Sequence, residues 1–203
     1  LTDITAQCEV TTLTAPTATD NCDGTIIGTH NATLPISASA TVTWTYTDGS
    51  GNTTTQDQNV VINDNTAPVA DLATLADITA QCEVTTLTAP TATDNCDGIL
   101  NGTHNATLPI SSSATVTWTY TDGSGNTTTQ DQNVVINDNT APAADLATLA
   151  DITAQCEVTT LTAPTATDNC TGTITGTHNA TLPISASTTV TWTYTDGNGN
   201  TTT

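Results

Sequence analysis

The chain has 203 residues, with 20 acidic residues, no Lys or Arg and a net charge of −20. A surface without basic groups excludes nucleic acid and anionic membranes as partners, because both are bound by Lys and Arg displacing their counterions. No apolar stretch approaches a membrane span, so no direct membrane insertion is expected, and cations are the natural partners of so acidic a chain.

The sequence repeats every 74 residues, as Cys8, Cys82 and Cys156 show, and likewise Trp44, Trp118 and Trp192. The copies run 1–74, 75–148 and 149–203, the third stopping before its final strand. Such near-identity suggests a window on a longer array of duplicated units.

Within the first copy, Ile4, Ala6, Cys8 and Val10 share one face of a first strand. A short second strand is expected around Thr17–Thr19, bounded by Pro16 and the turn Asp20–Gly24. A third covers Thr25–His30, and a fourth Leu34–Ser37, where Pro35 suits a sheet edge. In Thr41–Asp48, Val42, Trp44 and Tyr46 alternate with threonines, which predicts one buried and one hydroxylated face. The turn Asp48-Gly-Ser-Gly-Asn52 leads into a returning strand over Thr53–Asn63. No segment has helical periodicity. The fold class expected is all-β, with tandem immunoglobulin-like β-sandwich repeats forming an elongated rod. Trp44, Tyr46, Trp118, Tyr120, Trp192 and Tyr194 are the expected core aromatics.

A 74-residue unit is small for one core and calls for a staple. Each copy holds two cysteines, an even count that suits disulfides in an oxidising compartment. A repeat that must work anywhere in an array favours pairing inside each copy: Cys8–Cys22, Cys82–Cys96 and Cys156–Cys170. The alternative bond crosses the junction from Cys22 to Cys82. Two Cys and one His per copy do not make a zinc site.

Acids gather at the turns. Asp48, Ser50 and Asn52 place oxygens at alternate positions, as the start of a calcium loop does, although the Glu that closes an EF-hand is missing. Asp20 lies on another turn and Asp64 in the junction NDNTAPVAD. With their equivalents these give the candidate calcium ligands Asp20, Asp48, Asn52, Asp64, Asp94, Asp122, Asn126, Asp138, Asp168 and Asp196. Calcium is the one cofactor they point to. Asp, Asn and Gly are also simply what turns use. Asp23 and Asp97 become Thr171 in the third copy, so that acid is dispensable there. Asn31 and Asn52 begin Asn-x-Thr triplets that would accept glycans in a eukaryote. No catalytic motif accompanies the Ser, His and Asp present, and His30 beside its turn reads as a surface histidine, so no enzyme activity is expected.

The run TVTWTYTDGSGNTTTQDQNVVINDNTAP, with APTATDNCDG upstream, resembles hyalin-type (HYR-like) or bacterial immunoglobulin-like repeats. Such arrays are typical of giant cell-surface adhesins of Bacteroidetes-type bacteria, among them the gliding-motility adhesin exported by type IX secretion. The resemblance implies a sandwich fold, an extracellular, cell-surface location, and a stalk or spacer that projects an adhesive tip and bears tension. Its partners would be neighbouring repeats of the same chain, and other copies in a filament. Two other roles fit the same residues. The repeats could themselves bind polysaccharide or surface glycans, or they could polymerise by strand addition.

Overall fold

The structure is a computed structural model that describes residues 1–203. It is all-β, with 19 strands and no helix. In the first copy β1 (Ile4–Ala6), β2 (Thr17–Asp20), β3 (Gly24–Ile27), β4 (Thr29–His30), β5 (Ala40–Thr47), β6 (Thr53–Ile62) and β7 (Val69–Ala70) follow in order. β5 and β6 form the long antiparallel hairpin, from Ala40↔Val60 to Thr47↔Thr53. Asp48 accepts the Gly51 N–H at the turn, where Gly51 takes φ +87°, a backbone that disfavours a Cβ. β4 lies on the other side of β5, pairing Thr29↔Thr45 and His30↔Trp44.

The strand expected over Thr25–His30 is broken at Gly28, and the close packing there explains the break. A Cβ at Gly28 would stand 3.0 Å from Tyr46 Cε1 and 3.2 Å from Trp44 Cε3. The chain therefore leaves β3, paired with β2, and enters β4 in the other sheet. The region around Leu34–Ser37 contributes only a bridge, Ile36↔Val10. Between the sheets lie Val10, Ile36, Val42, Trp44, Tyr46 and Val60, with Ala18 and Ile26 packed against them from the smaller sheet. Trp44 is 1% exposed. Its indole N–H donates to Gln58 Oε1 at 2.9 Å, so its one polar group is satisfied.

The pairing of β1 decides the rest. It runs parallel to the end of β6, Ile4↔Val60 to Ala6↔Ile62. The chain after Ala6 is thereby carried to the end of the sandwich where β6 finishes. The turns at Asp20–Gly24 and Asp48–Asn52 sit together at the other end, where the Gly49 N–H donates to Asp23 Oδ2 at 2.8 Å. Ten-residue β6 separates those ends by about 30 Å at roughly 3.3 Å per residue.

The second copy repeats these elements as β8 (Ile78–Ala80), β9 (Thr91–Asp94), β10 (Gly98–Asn101), β11 (Thr103–His104), β12 (Ala114–Thr121), β13 (Thr127–Ile136) and β14 (Ala143–Ala144). The third has β15 (Thr165–Asp168), β16 (Gly172–Thr175), β17 (Thr177–His178), β18 (Trp192–Thr195) and β19 (Thr201–Thr202). Ile152–Ala154, the counterpart of β1 and β8, forms no strand there.

The chain divides into two compact units that cut across the copies. The first is Leu1–Thr74 with Ala89–His104 and Thr117–Gln130, and the second is Leu75–Thr88 with Asn105–Val116 and Asp131–Thr203. Each unit contains one boundary between successive copies.

Candidate functional site

The boundary in the first unit begins with a strand that leaves its own copy. β7 pairs with β9, Val69↔Thr93 and Ala70↔Ala92, so the end of copy one completes a three-stranded sheet with β9 and β10 of copy two. Pro68 just before it is fully buried. Asp71 fastens this strand: its amide donates to Thr91 O at 3.0 Å, and its carboxylate accepts the hydroxyls of Thr91 and Thr93 at 2.5 and 2.7 Å. Those two hydroxyls hold Asp71 below the usual carboxylate range. The second unit repeats the arrangement, with β14 on β15 and Asp145 on Thr165 and Thr167.

A disulfide crosses each boundary. Cys8 bonds Cys96, and Cys82 bonds Cys170, each over a separation of 88 residues. This differs from the pairing expected inside each copy, Cys8–Cys22, Cys82–Cys96 and Cys156–Cys170, and also from the Cys22–Cys82 alternative. The reason is geometric. Parallel β1 carries Cys8 to the end opposite Cys22, about 30 Å off at the rise of β6, whereas a disulfide needs Cα atoms within about 7 Å. Cys8 and Cys96 bring theirs to 5.0 Å. Cys22 and Cys156 are free and exposed. Around the first bond, Gln7 Oε1 accepts from Thr66 Oγ1 at 2.6 Å and from Asn95 Nδ2 at 3.1 Å, tying both copies to one amide. Gln81 does the same with Thr140 and Asn169.

Beside each disulfide lie the aspartates. Asp64, from the end of copy one, meets Asp94, from the first turn of copy two. Asp138 meets Asp168 in the same way. In both sets a carboxylate oxygen of each lies within 4.8 Å of the other and of a cysteine sulfur. Asp94 Oδ1 accepts the amides of Cys96 and Asp97 at 2.8 and 3.0 Å, and Asp64 Oδ1 accepts that of Thr66 at 3.1 Å. These Asx turns fix the carboxylates and leave Oδ2 of Asp64, Asp94, Asp138 and Asp168 buried without a hydrogen-bond partner.

The remaining candidate ligands have other partners. Asp122 Oδ1 accepts the amides of Ser124 and Asn126, and its Oδ2 accepts Asn126 Nδ2 at 2.8 Å. The same Nδ2 also reaches Asp64 O at 3.2 Å, so Asn126 links the turn of copy two to the end of copy one. Asp196 and Asn200 repeat this toward Asp138. Burial pushes Asp122 up, but the Asn126 and Ser124 hydrogen bonds outweigh it and its pKa is lowered. Asp48 and Asn52 bond each other at 2.7 Å, and Asp20 accepts the amides of Cys22 and Asp23. The amides of Asp23 and Cys22 hold Asp20 below the usual range, outweighing desolvation and the like charge of Asp48, which push it up. Asp20 and Asp48 therefore stand in Coulombic reach of each other, and Asp64 of their own copy lies at the far end. The run Asp48-Ser50-Asn52 closes on itself as a turn.

The site is thus a boundary between successive β-sandwich copies, closed by an exchanged strand, a disulfide and a pair of carboxylates. No protein-family model matches the chain. Two relatives are hyalins. That of Lytechinus variegatus is 36% identical over 215 residues, covering 92% of this chain and 40% of the relative. That of Strongylocentrotus purpuratus is 36% identical over 199 residues, covering 83% and 16%. The chain spans less than half the length of these relatives. The likeness supports the hyalin-type repeat and does not reach the bacterial gliding adhesin. Among solved structures, mouse clustered PcdhgC3 EC1-3 covers 80% of this chain and 73% of its own at 11% identity, with a TM-score of 0.28. Protocadherin gamma B7 EC1-4 covers 96% and 57% at 11% identity, also with a TM-score of 0.28. So slight a match adds nothing to the fold, which rests on the sheets themselves.

Proposed function

We propose that the chain is a load-bearing stretch of an extracellular adhesion protein, a stalk whose units are held to one another rather than braced singly. The observation that carries this reading is the overlap of the two disulfide loops. The second copy is bonded backwards through Cys96 and forwards through Cys82. Tension entering at Cys8 passes straight to Cys96, back along the chain to Cys82, and across to Cys170. Every other residue between Cys8 and Cys170 is out of the taut path. Disulfides of this kind persist in oxidising surroundings, and the hyalin likeness agrees with an extracellular adhesive role.

Single-molecule pulling tests the reading. About 162 positions separate Cys8 from Cys170, and only the 14 from Cys82 to Cys96 stay in the taut path. Reduction should therefore release about 148 residues, roughly 500 Å at 3.3–3.6 Å each. Equal contour lengths with and without reductant would sink the proposal.

A further inference from the structure

Each boundary holds three buried aspartates, Asp64, Asp94 and Asp122 at the first and Asp138, Asp168 and Asp196 at the second, in a chain with no Lys or Arg to neutralise them, and only Asp122 and Asp196 have both oxygens hydrogen-bonded. Asp94, Asp138 and Asp168 are 4–5% exposed and Asp64 9%. Burying such groups uncompensated is costly, and a charge so placed is normally paired or bound to metal. In all four residues the same oxygen, Oδ2, is left unpartnered while turn amides hold the other. The third atom of each cluster, Cys96 or Cys170 Sγ, is spent in a disulfide and is no thiolate. The available donors are therefore hard oxygens alone.

We propose that Asp64 with Asp94, and Asp138 with Asp168, each bind one divalent cation of the calcium type at the boundary between copies. Calcium bonds oxygen at 2.3–2.6 Å, so one ion can join two oxygens up to about 4.6–5.2 Å apart. The two carboxylate oxygens lie within 4.8 Å, inside that span without rearrangement. Magnesium demands a near-ideal octahedron and gives up its water reluctantly, which suits a site with two fixed protein oxygens less well. Zinc favours the nitrogen and thiolate ligands that are missing here. Two protein oxygens leave most of calcium's six to eight positions to carbonyls and water. At the second boundary a groove of about 670 Å³ beside Cys82 and Cys170 is lined by Asp138 and Asn169, and gives such water and the ion a way in. The ion would draw together one carboxylate from each copy, which neither copy could do alone.

The test is calorimetric titration of calcium chloride into the oxidised 203-residue chain after chelator treatment at neutral pH. Two ions per chain are expected, with a higher melting temperature in calcium than in chelator. Asp94→Asn keeps the oxygen that accepts the Cys96 amide and should leave one site, and adding Asp168→Asn should leave none. Asp64→Asn, from the opposite copy, should by itself also leave one, which reads the site independently if an Asp94 variant folds poorly. Asp20→Asn, on the equivalent turn of copy one, should leave both. No calcium uptake by the folded chain would overturn the proposal. So would two sites surviving in Asp94→Asn/Asp168→Asn, or a site lost in Asp20→Asn.

Discussion

The turn TATDNCDG of copy one and its twin in copy two have one sequence and two environments. In copy one Ala18 and Asp20 are half-buried and Cys22 is a free thiol on the surface. In copy two Ala92 is fully buried, Asp94 is 4% exposed and Cys96 is bonded to Cys8. The local hydrogen bonds are the same in both, with Asp20 and Asp94 each accepting two turn amides at 2.8 and 3.0 Å. What differs is the end of the preceding copy, laid over the turn through β7, Asp64 and Cys8. The short-range code sets the shape of this turn, and its burial, cross-link and charge environment come from the far end of the preceding copy, where that copy's β6 finishes.

The largest effect should come from cutting the covalent part of that cover. Replacing Cys8 and Cys96 together with serine removes an 88-residue closure, worth about 4.6 kcal/mol in the chain-entropy account. The denaturation midpoint should fall accordingly, and serine at Cys22 should not move it. Equal losses from the two substitutions would abolish the distinction between covered and uncovered turns.

A smaller effect is expected at Asp71, which fastens β7 to copy two. Its carboxyl is held below the usual 3.8 by the hydroxyl of Thr91 and then of Thr93. A lowered pKa in the folded state gives stability that is complete above the unfolded value and is lost as pH falls through the folded one. Amide protection at Asp71 and at Val69, the neighbouring hydrogen-bonded position of β7, should therefore persist down to about pH 4 and fall below it. Asp71→Asn should show the quick exchange at every pH, with the Asp20 turn unaffected. Exchange that ignores both the substitution and the acid would detach Asp71 from the boundary.

Much of one sandwich could be read from the sequence, and the boundary could not, for a definite reason. The alternation of Val42, Trp44 and Tyr46 records which face of β5 is covered, and the Gly-rich turn at 48–52 fixes how β6 returns. These are local patterns with a period. The parallel pairing of Ile4–Ala6 with Val60–Ile62 joins three residues across more than fifty, and a strand that short carries no signal of partner or direction. With that pairing unknown, Cys8 and Cys22 look like neighbours in a small loop. Once it is known, Cys8 and Asp64 fall at one end, Cys22 and Asp20 at the other, and only the next copy can bring the two sets together. The one hint within the sequence was variation between copies. The aspartates at 20, 94 and 168 recur, while the acid at 23 and 97 gives way to Thr171.

That substitution offers the smallest and sharpest test. Asp23 Oδ2 accepts the Gly49 amide at 2.8 Å and Asp97 Oδ2 accepts that of Gly123 at 2.5 Å, so this acid is a brace between two turns. Thr171 does the same work with a hydroxyl, at 3.3 Å to the Gly197 amide. Thr171→Asp should shorten that bond and slow exchange at Gly197. It also adds a negative charge beside Asp168, whose Oδ1 accepts the residue-171 amide. The two effects oppose, so the unfolding free energy should change by no more than about 0.5 kcal/mol, as for most surface changes. Added salt screens only the repulsion and should tip the balance toward stabilisation. Asp97→Thr should do the reverse, quickening exchange at Gly123 to the rate found at Gly197. If Gly123 keeps its protection with threonine at 97, the brace is the turn backbone itself, and the acid in the first two copies has no part in holding it.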